Sequence, residues 1–468
     1  MISCTGFLIL LGFVAFAGLM VAKLLPTLLA LPLMAAWCAL VVQMPLVTYL
    51  NEILLGGAMK LASAMTVVIF GAMFARVIMK TGISASIIKK SAELAGDKPL
   101  ALALIMTLAT AFVFLGMSGL GAVIMVGSIA LPILMSAGIE PVVASSLLLL
   151  GLTTGLMANA ANYGTYLGIF GGAVVTSYYL PACIIALVVT LAFIFVNVSA
   201  TTGSGSALPA WKALLWLLGG LCKLPGVLLS SLWAYRRSLR QNSGSSLLKK
   251  HQEVPAVALL APLLPLLLVY FFKYTIGFGA TAQGQINPLA ASVCGFILAC
   301  LYAILLTRPS QLINILAGGL VEGIKDVAGV LFLFMGIGML VAAVMNPAVA
   351  KILNPLLTAA IPTSRWGAFS FFLILAPAAL YRGPLNMFGM GAGIAAILMT
   401  LHILPPAAAC GIFLGVQFIQ CASDPTNSHN AWIAGFANVD PLAILKKTLP
   451  YTWAMCLLMQ WYVVFWQW

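Results

Sequence analysis

Apolar positions in this chain come in blocks, not stripes. Run after run of about 20 residues passes without a charge, the length a helix needs to cross about 30 Å of hydrocarbon at 1.5 Å per residue. Drawn this way, spans fall at about 5–22, 25–45, 60–79, 99–116, 142–174, 177–198, 211–234, 254–272, 287–306, 326–345, 366–381, 405–437 and 448–467. Barrel strands would be about ten residues of strict alternation, a pattern absent here. The fold class is therefore an all-α polytopic membrane protein. The first run, "FLILLGFVAFAGLMVA", has no basic flank or convincing cleavage site and reads as a retained helix, not a signal peptide.

Two Gly-rich segments, about 118–137 and 383–402, fit poorly as ordinary spans and read as re-entrant hairpins. An internal repeat supports this. An offset of 264 positions carries Gly119 onto Gly383, Gly127 onto Gly391, Pro141 onto Pro405 and Gly151 onto Gly415. Residues 1–199 then form one repeat, 254–468 a second, and 200–253 an insertion. Each repeat holds a hairpin followed by a helix with a polar break, at about 142–174 and 405–437. The breaks are "ANAANYGTY" (158–166) and "DPTNSHNAW" (424–432). Unsatisfied backbone is costly in hydrocarbon, so broken helices survive there only inside protein or beside a wet cavity. Matching breaks in two halves point to a transporter's binding site at the repeat interface. Scaffold and transport domain, moving as an elevator, are the architecture expected.

Composition confirms the solvent: 63% of residues are hydrophobic and 7% charged. The net charge of +13 does not point to nucleic acid, because the basic residues cluster between spans. Lys80, Lys89, Lys90 and Lys98 form one cluster; Arg236, Arg237, Arg240, Lys249 and Lys250 form another. Both are cytoplasmic orientation signals. Inverted halves need an odd number of spans between equivalent elements, which on this count makes 211–234 cross. Lys223 within it argues for an interfacial helix instead. The nine cysteines are scattered singly in apolar segments and read as small core residues. No nucleotide loop, zinc helix or Cys/His cluster appears, so neither an enzyme nor a cofactor is expected.

Candidate chemistry gathers at the breaks. Asp424 lies deep in an apolar segment and reads either as a carrier of the coupling ion or as a cap accepting backbone N–H bonds. His429 is the second ion-coupling candidate. Asn159, Asn162, Thr165, Thr426, Asn427, Ser428 and Asn430 offer neutral donors and acceptors to a substrate, or to neighbouring helices. Arg382 and Asn386 stand in "YRGPLN" at the second hairpin, and Ser118 matches Arg382 across the repeat. A guanidinium there presents a planar fork to a carboxylate; it also suits a reach to headgroups or a gating pair with Asp424.

The run "NSHNAWIAGFANVDPLAILKKTLPYTWAM" resembles the C-terminal part of the gluconate permease family, through Ser428, His429, Asn430, Trp432, Thr452 and Trp453. More broadly, "KTGISASIIKKSAELAGDKP", "MSGLGA" and "AGIEPVVASSLLLLG" resemble the ion transporter superfamily of gluconate, citrate and lactate permeases and the large subunits of tripartite dicarboxylate carriers. The resemblance implies secondary active symport of a small organic anion with a proton or sodium ion, elevator motion, and a homodimer in the bacterial inner membrane. A cation/proton antiporter, needing Asp424 as carrier, and the membrane subunit of a larger system are the other readings.

Overall fold

The apolar blocks are helical in the computed structural model, which describes residues 4–22, 24–96, 98–201, 254–277, 286–388 and 390–466. In chain order the helices are α1 (Cys4–Val21), α2 (Thr27–Val41), α3 (Leu46–Lys80, π-wound over Tyr49–Leu55), α4 (Ile83–Ala95), α5 (Pro99–Phe114), α6 (Leu120–Ser136), α7 (Pro141–Met157), α8 (Ala160–Phe170) and α9 (Gly172–Thr201). There follow α10 (Leu264–Thr275, led in by the 3-10 turns Ala256–Leu263), α11 (Pro288–Thr307), α12 (Leu312–Met345), α13 (Pro347–Ala360), α14 (Arg365–Leu375), α15 (Met390–Thr400), α16 (Pro406–Ser423), α17 (Ser428–Ala437) and α18 (Pro441–Trp466). No β-strand occurs among the described residues. Five helices there are long and apolar enough to cross a membrane, or up to seven if each bent pair is one span, so the chain is an integral multi-pass membrane protein.

The chain divides into two compact units. One comprises Met1–Val68, Asn162–Val189 and Val327–Trp468; the other Ile69–Ala161 and Thr190–Asp326. We call them the first and second unit. The boundaries fall inside α3, α8, α9 and α12.

In the second unit, α5 lies on α7 with both chains running the same way. A Cβ at Gly151 would stand 2.8 Å from the Thr107 carbonyl oxygen, and one at Gly155 would strike that of Ala111. These two glycines let the backbones touch. Further along, the Asn159 amide donates to the carbonyls of Phe114 (3.0 Å) and Met117 (3.1 Å). So α5 starts level with the root of α7 and ends level with the break at Asn159. The chain then turns over residues 115–119, with Gly119 at φ +88°, and returns along α6.

This changes the hairpin assignment. The expected full span at 99–116 is the first limb of a helical hairpin that turns back at the level of the break. The segment 118–137, expected to fold back on itself, is a single helix continuous through Pro132 and forms the second limb. Likewise 383–402 contains one helix, α15, preceded by irregular backbone. The internal glycines Gly121 and Gly127 have no positive φ and leave the helix unbroken.

Other boundaries moved for identifiable reasons. Asn51, Glu52 and Lys60 interrupt the apolar run ahead of residue 60, yet α3 starts at Leu46. Glu322, Lys325 and Asp326 set the expected start of a span at 326, yet α12 runs 34 residues from Leu312, about 50 Å. Its charges are compensated in the second unit. Arg76 grips Asp326 with Nε and Nη2, Lys80 meets Glu322 at 2.7 Å, and Arg76 Nη1 lies 3.6 Å from Glu322. The proposed helix at 211–234 and the basic run after it lie outside the described residues.

Candidate functional site

The break between α16 and α17 lies in the first unit, and its polar residues repair the backbone they interrupt. A helix leaves its last four carbonyls without intrahelical donors. Here the Asn427 amide donates to the carbonyl of Gln420, His429 Nε2 to that of Cys421 (3.1 Å), and Asn430 Nδ2 to that of Ala422 (3.1 Å). Ser423 joins the hydroxyls of Thr448 (2.8 Å) and Thr452 (2.9 Å) on α18. Since the Cys421 carbonyl can only accept, His429 carries its proton on Nε2. Replacing Asn430 by alanine is expected to cost about 1 kcal/mol by stranding the Ala422 carbonyl; an unchanged thermal midpoint in detergent would contradict this.

Asp424 is the knot of the arrangement and has no exposed surface. Its Oδ1 accepts from the backbone N–H of Tyr381 (3.0 Å), the N–H of Thr426 (2.9 Å) and the Thr426 hydroxyl (2.7 Å). Oδ2 accepts from the N–H of Arg382 (3.1 Å), with the Asn386 amide at 3.5 Å. Tyr381 and Arg382 both sit in the left-handed region, at φ 57° and 54°, where side-chain-bearing residues cost of order 1–3 kcal/mol each. The carboxylate thus holds a strained loop against the end of α16.

The remaining candidates separate by role. Asn386 is buried and used within its own loop, donating to the Ala379 carbonyl and accepting from the Phe388 N–H. Asn162 accepts from Gln417 Nε2 at 2.9 Å, and near it Tyr166 donates to the Phe413 carbonyl at 3.2 Å, so α8 packs on α16. Thr165 is buried on the same helix. Arg382 and Ser428 are exposed, while Thr426, Asn427 and His429 are half-buried. The Arg382 guanidinium has no hydrogen-bond or ion-pair partner among the described residues. Asn427 turns its amide back to Gln420 and leaves the first N–H groups of α17 uncapped.

Asn159 and Ser118 belong to the second unit. Asn159 caps α8 by accepting from the Ala161 N–H (2.9 Å) while its amide holds the hairpin turn; Ser118 lies half-buried in that turn. In each break a polar side chain grips a neighbouring turn. Asn159 does it by donating to carbonyls, Asp424 by accepting from N–H groups.

Sequence reading missed Gln417 and Gln420. Both are buried, and Gln420 Oε1 takes the Met387 N–H at 2.6 Å. Their signal was two amides three residues apart in an apolar helix that ends at Asp424. It also missed the Arg76, Lys80, Glu322 and Asp326 group, whose signal was two basic and two acidic residues, each pair spaced by four.

No family model matches this chain, and no curated protein matches it. Among solved structures it is similar to the crystal structure of the Alcanivorax borkumensis YdaH transporter, described as having an unusual topology. The TM-score is 0.58 at 14% identity, covering 90% of this chain and 88% of that one. At that identity the likeness is one of fold: the chain is a helical multi-pass membrane protein with the fold of a known transporter.

Proposed function

We propose that this protein is a secondary active transporter that imports a small organic anion by proton or sodium symport. The observation carrying the reading is the surface at the second break. The exposed guanidinium of Arg382, the exposed hydroxyl of Ser428 and the uncapped N–H groups of α17 all present positive or donor character in the first unit. A planar fork beside a helix N-terminus suits a carboxylate. Thr426, Asn427 and Asn430 complete the substrate side. His429, with Nδ1 left over from its bond to Cys421, and Asp424 are the groups proposed for ion coupling. The buried Asn430 Oδ1 has no donor among the described residues and suits a coupling cation.

Two inverted repeats with elevator motion are part of the proposal. Support comes from the order of elements: long helix, short amphipathic helix, hairpin, broken helix and closing helix occur as α3 to α9 and again as α12 to α18. Close contacts exchange under that offset to within two residues. Gly57 meets Gly338 in the first unit, and Gly323 meets Met73 in the second. The resemblance to carboxylate permeases points to a sugar acid, hydroxy acid, dicarboxylate or tricarboxylate as substrate, to a homodimer, and to the bacterial inner membrane.

Arg382→Lys is the direct test. Because the guanidinium has no partner among the described residues, the variant is expected to keep its thermal midpoint while KM for uptake rises about tenfold or more, as a point charge replaces a two-pronged donor. Equal KM in the two forms would remove Arg382 from the binding surface.

A further inference from the structure

The ion pairs and helix contacts of the second unit fix membrane sides for residues far apart in sequence. We infer that Thr201 and Val254 stand on the same membrane face as Lys80 and Lys98, so the 52-residue stretch between them (202–253) begins and ends on that face. The inference does not depend on what is transported.

The chain can be followed from Lys80, the last residue of α3. The 13 residues of α4 include Lys89, Lys90 and Glu93, too short and too charged to cross. The chain therefore reaches Lys98 on the same face. Next comes the hairpin of α5 and α6. Its parallel contacts with α7 (Thr107 at Gly151, Phe114 at Asn159) bring the tip only as far as the break, and α6 returns it to the root of α7 at Pro141. This excursion crosses nothing.

The broken helix α7–α8 and helix α9 then run antiparallel. Thr154 bonds Thr190 at 3.0 Å, and the rings of Tyr163 and Tyr179 meet edge-on at 4.9 Å, so contacts spread apart in sequence away from the turn at Gly171. The end of α9, at Thr201, is thereby brought back to the level of Pro141.

From the other side the chain is followed backwards. Lys80 holds Glu322 and Arg76 holds Asp326, while Gly319 lies against Val77 and Gly323 against Met73. Increasing number on α12 thus goes with decreasing number on α3, and the pair is antiparallel. The start of α12 extends past Lys80 on the Lys80 face, by about 15 Å between Leu312 and Glu322. Arg308 is four residues before that start. From there α11 and α10 form another antiparallel pair, with Tyr302 donating to the Val257 carbonyl at 2.7 Å and Gly295 lying against Pro265. Val254 is thereby returned to the level of Arg308.

Both routes end on one face. It gathers Lys80, Lys89, Lys90, Lys98 and Arg308. By the excess of basic residues, that face is cytoplasmic. The single crossing expected for 211–234 is then not needed for inverted halves: with the first hairpin re-entrant, α1, α2, α3, α7–α8 and α9 already give an odd number of crossings.

The test uses the full chain with single cysteines introduced by Thr201→Cys, Val254→Cys, Lys98→Cys and Ala348→Cys, labelled with a membrane-impermeant maleimide on intact and permeabilised cells, against the parent chain as background. Thr201→Cys, Val254→Cys and Lys98→Cys are expected to react at least tenfold more after permeabilisation, with Ala348→Cys reacting in intact cells. Should either substitution at 201 or 254 perturb expression, Glu140→Cys and Arg308→Cys report the same two levels at exposed sites. A label at position 201 or 254 (or 140 or 308) that reacts from the face opposite Lys98→Cys overturns the inference.

Discussion

Asp424→Asn is expected to abolish concentrative uptake and also to lower the thermal midpoint of the purified protein. The carboxylate is acceptor-only and meets donors on both oxygens, three of them backbone N–H groups. An amide must turn its own NH2 toward at least one of these donors. The stranded N–H and the lost charge-assisted bonds cost about 3 kcal/mol together. The loss falls on the loop least able to absorb it, since Tyr381 and Arg382 are held at positive φ. Once released, the loop carries the Arg382 guanidinium away from α17, so binding fails with stability. A coupling role alone would remove uptake and leave the midpoint unchanged. Unaltered concentrative uptake in the variant would reject both roles.

Reversing one charge of the α3–α12 group is expected to impair folding through a pair that exchange of the charges can restore. Arg76→Asp leaves three acidic groups facing Lys80, and Asp326→Arg leaves two guanidiniums face to face, in two long apolar helices. The side chains are a quarter to two-fifths exposed, so the lost pair is worth about 1 kcal/mol, the new like-charge contacts add to it, and the yield of monodisperse protein should drop severalfold in either single variant. The exchanged pair, Arg76→Asp with Asp326→Arg, restores the opposition of charge and should recover most of that yield. Gel filtration in detergent measures it. A double variant no better than the worse single would show that the charges do not act through each other.

These two cases also show what could be read from sequence. The second break was legible because Asp424 to Asn430 are polar in a segment where nearly every neighbour is apolar. Its inner logic, in which Asn427, His429 and Asn430 cap the carbonyls of their own preceding helix, is a matter of side-chain direction and was not. The first hairpin was half-legible. Gly119 marked its turn, but a 16-residue limb such as α5 has the hydropathy of a short span, and only its parallel packing on α7 shows that it turns back level with the break at Asn159. The start of α12 was misread because Glu322 and Asp326 looked like a loop. Opposite charges that pair across two helices need not end either of them, and the partners lay 250 and 242 positions upstream, at Arg76 and Lys80.

The central claim, coupled transport of an organic anion, is tested most directly by uptake into proteoliposomes of the purified full chain. Labelled gluconate, citrate, lactate and C4-dicarboxylates would be offered in turn under an imposed proton or sodium gradient. The account predicts concentrative uptake of at least one acid under one gradient, abolished by Asp424→Asn and weakened in KM by Arg382→Lys. Absence of uptake for every acid under both gradients, from protein that is monodisperse and correctly inserted, would contradict it.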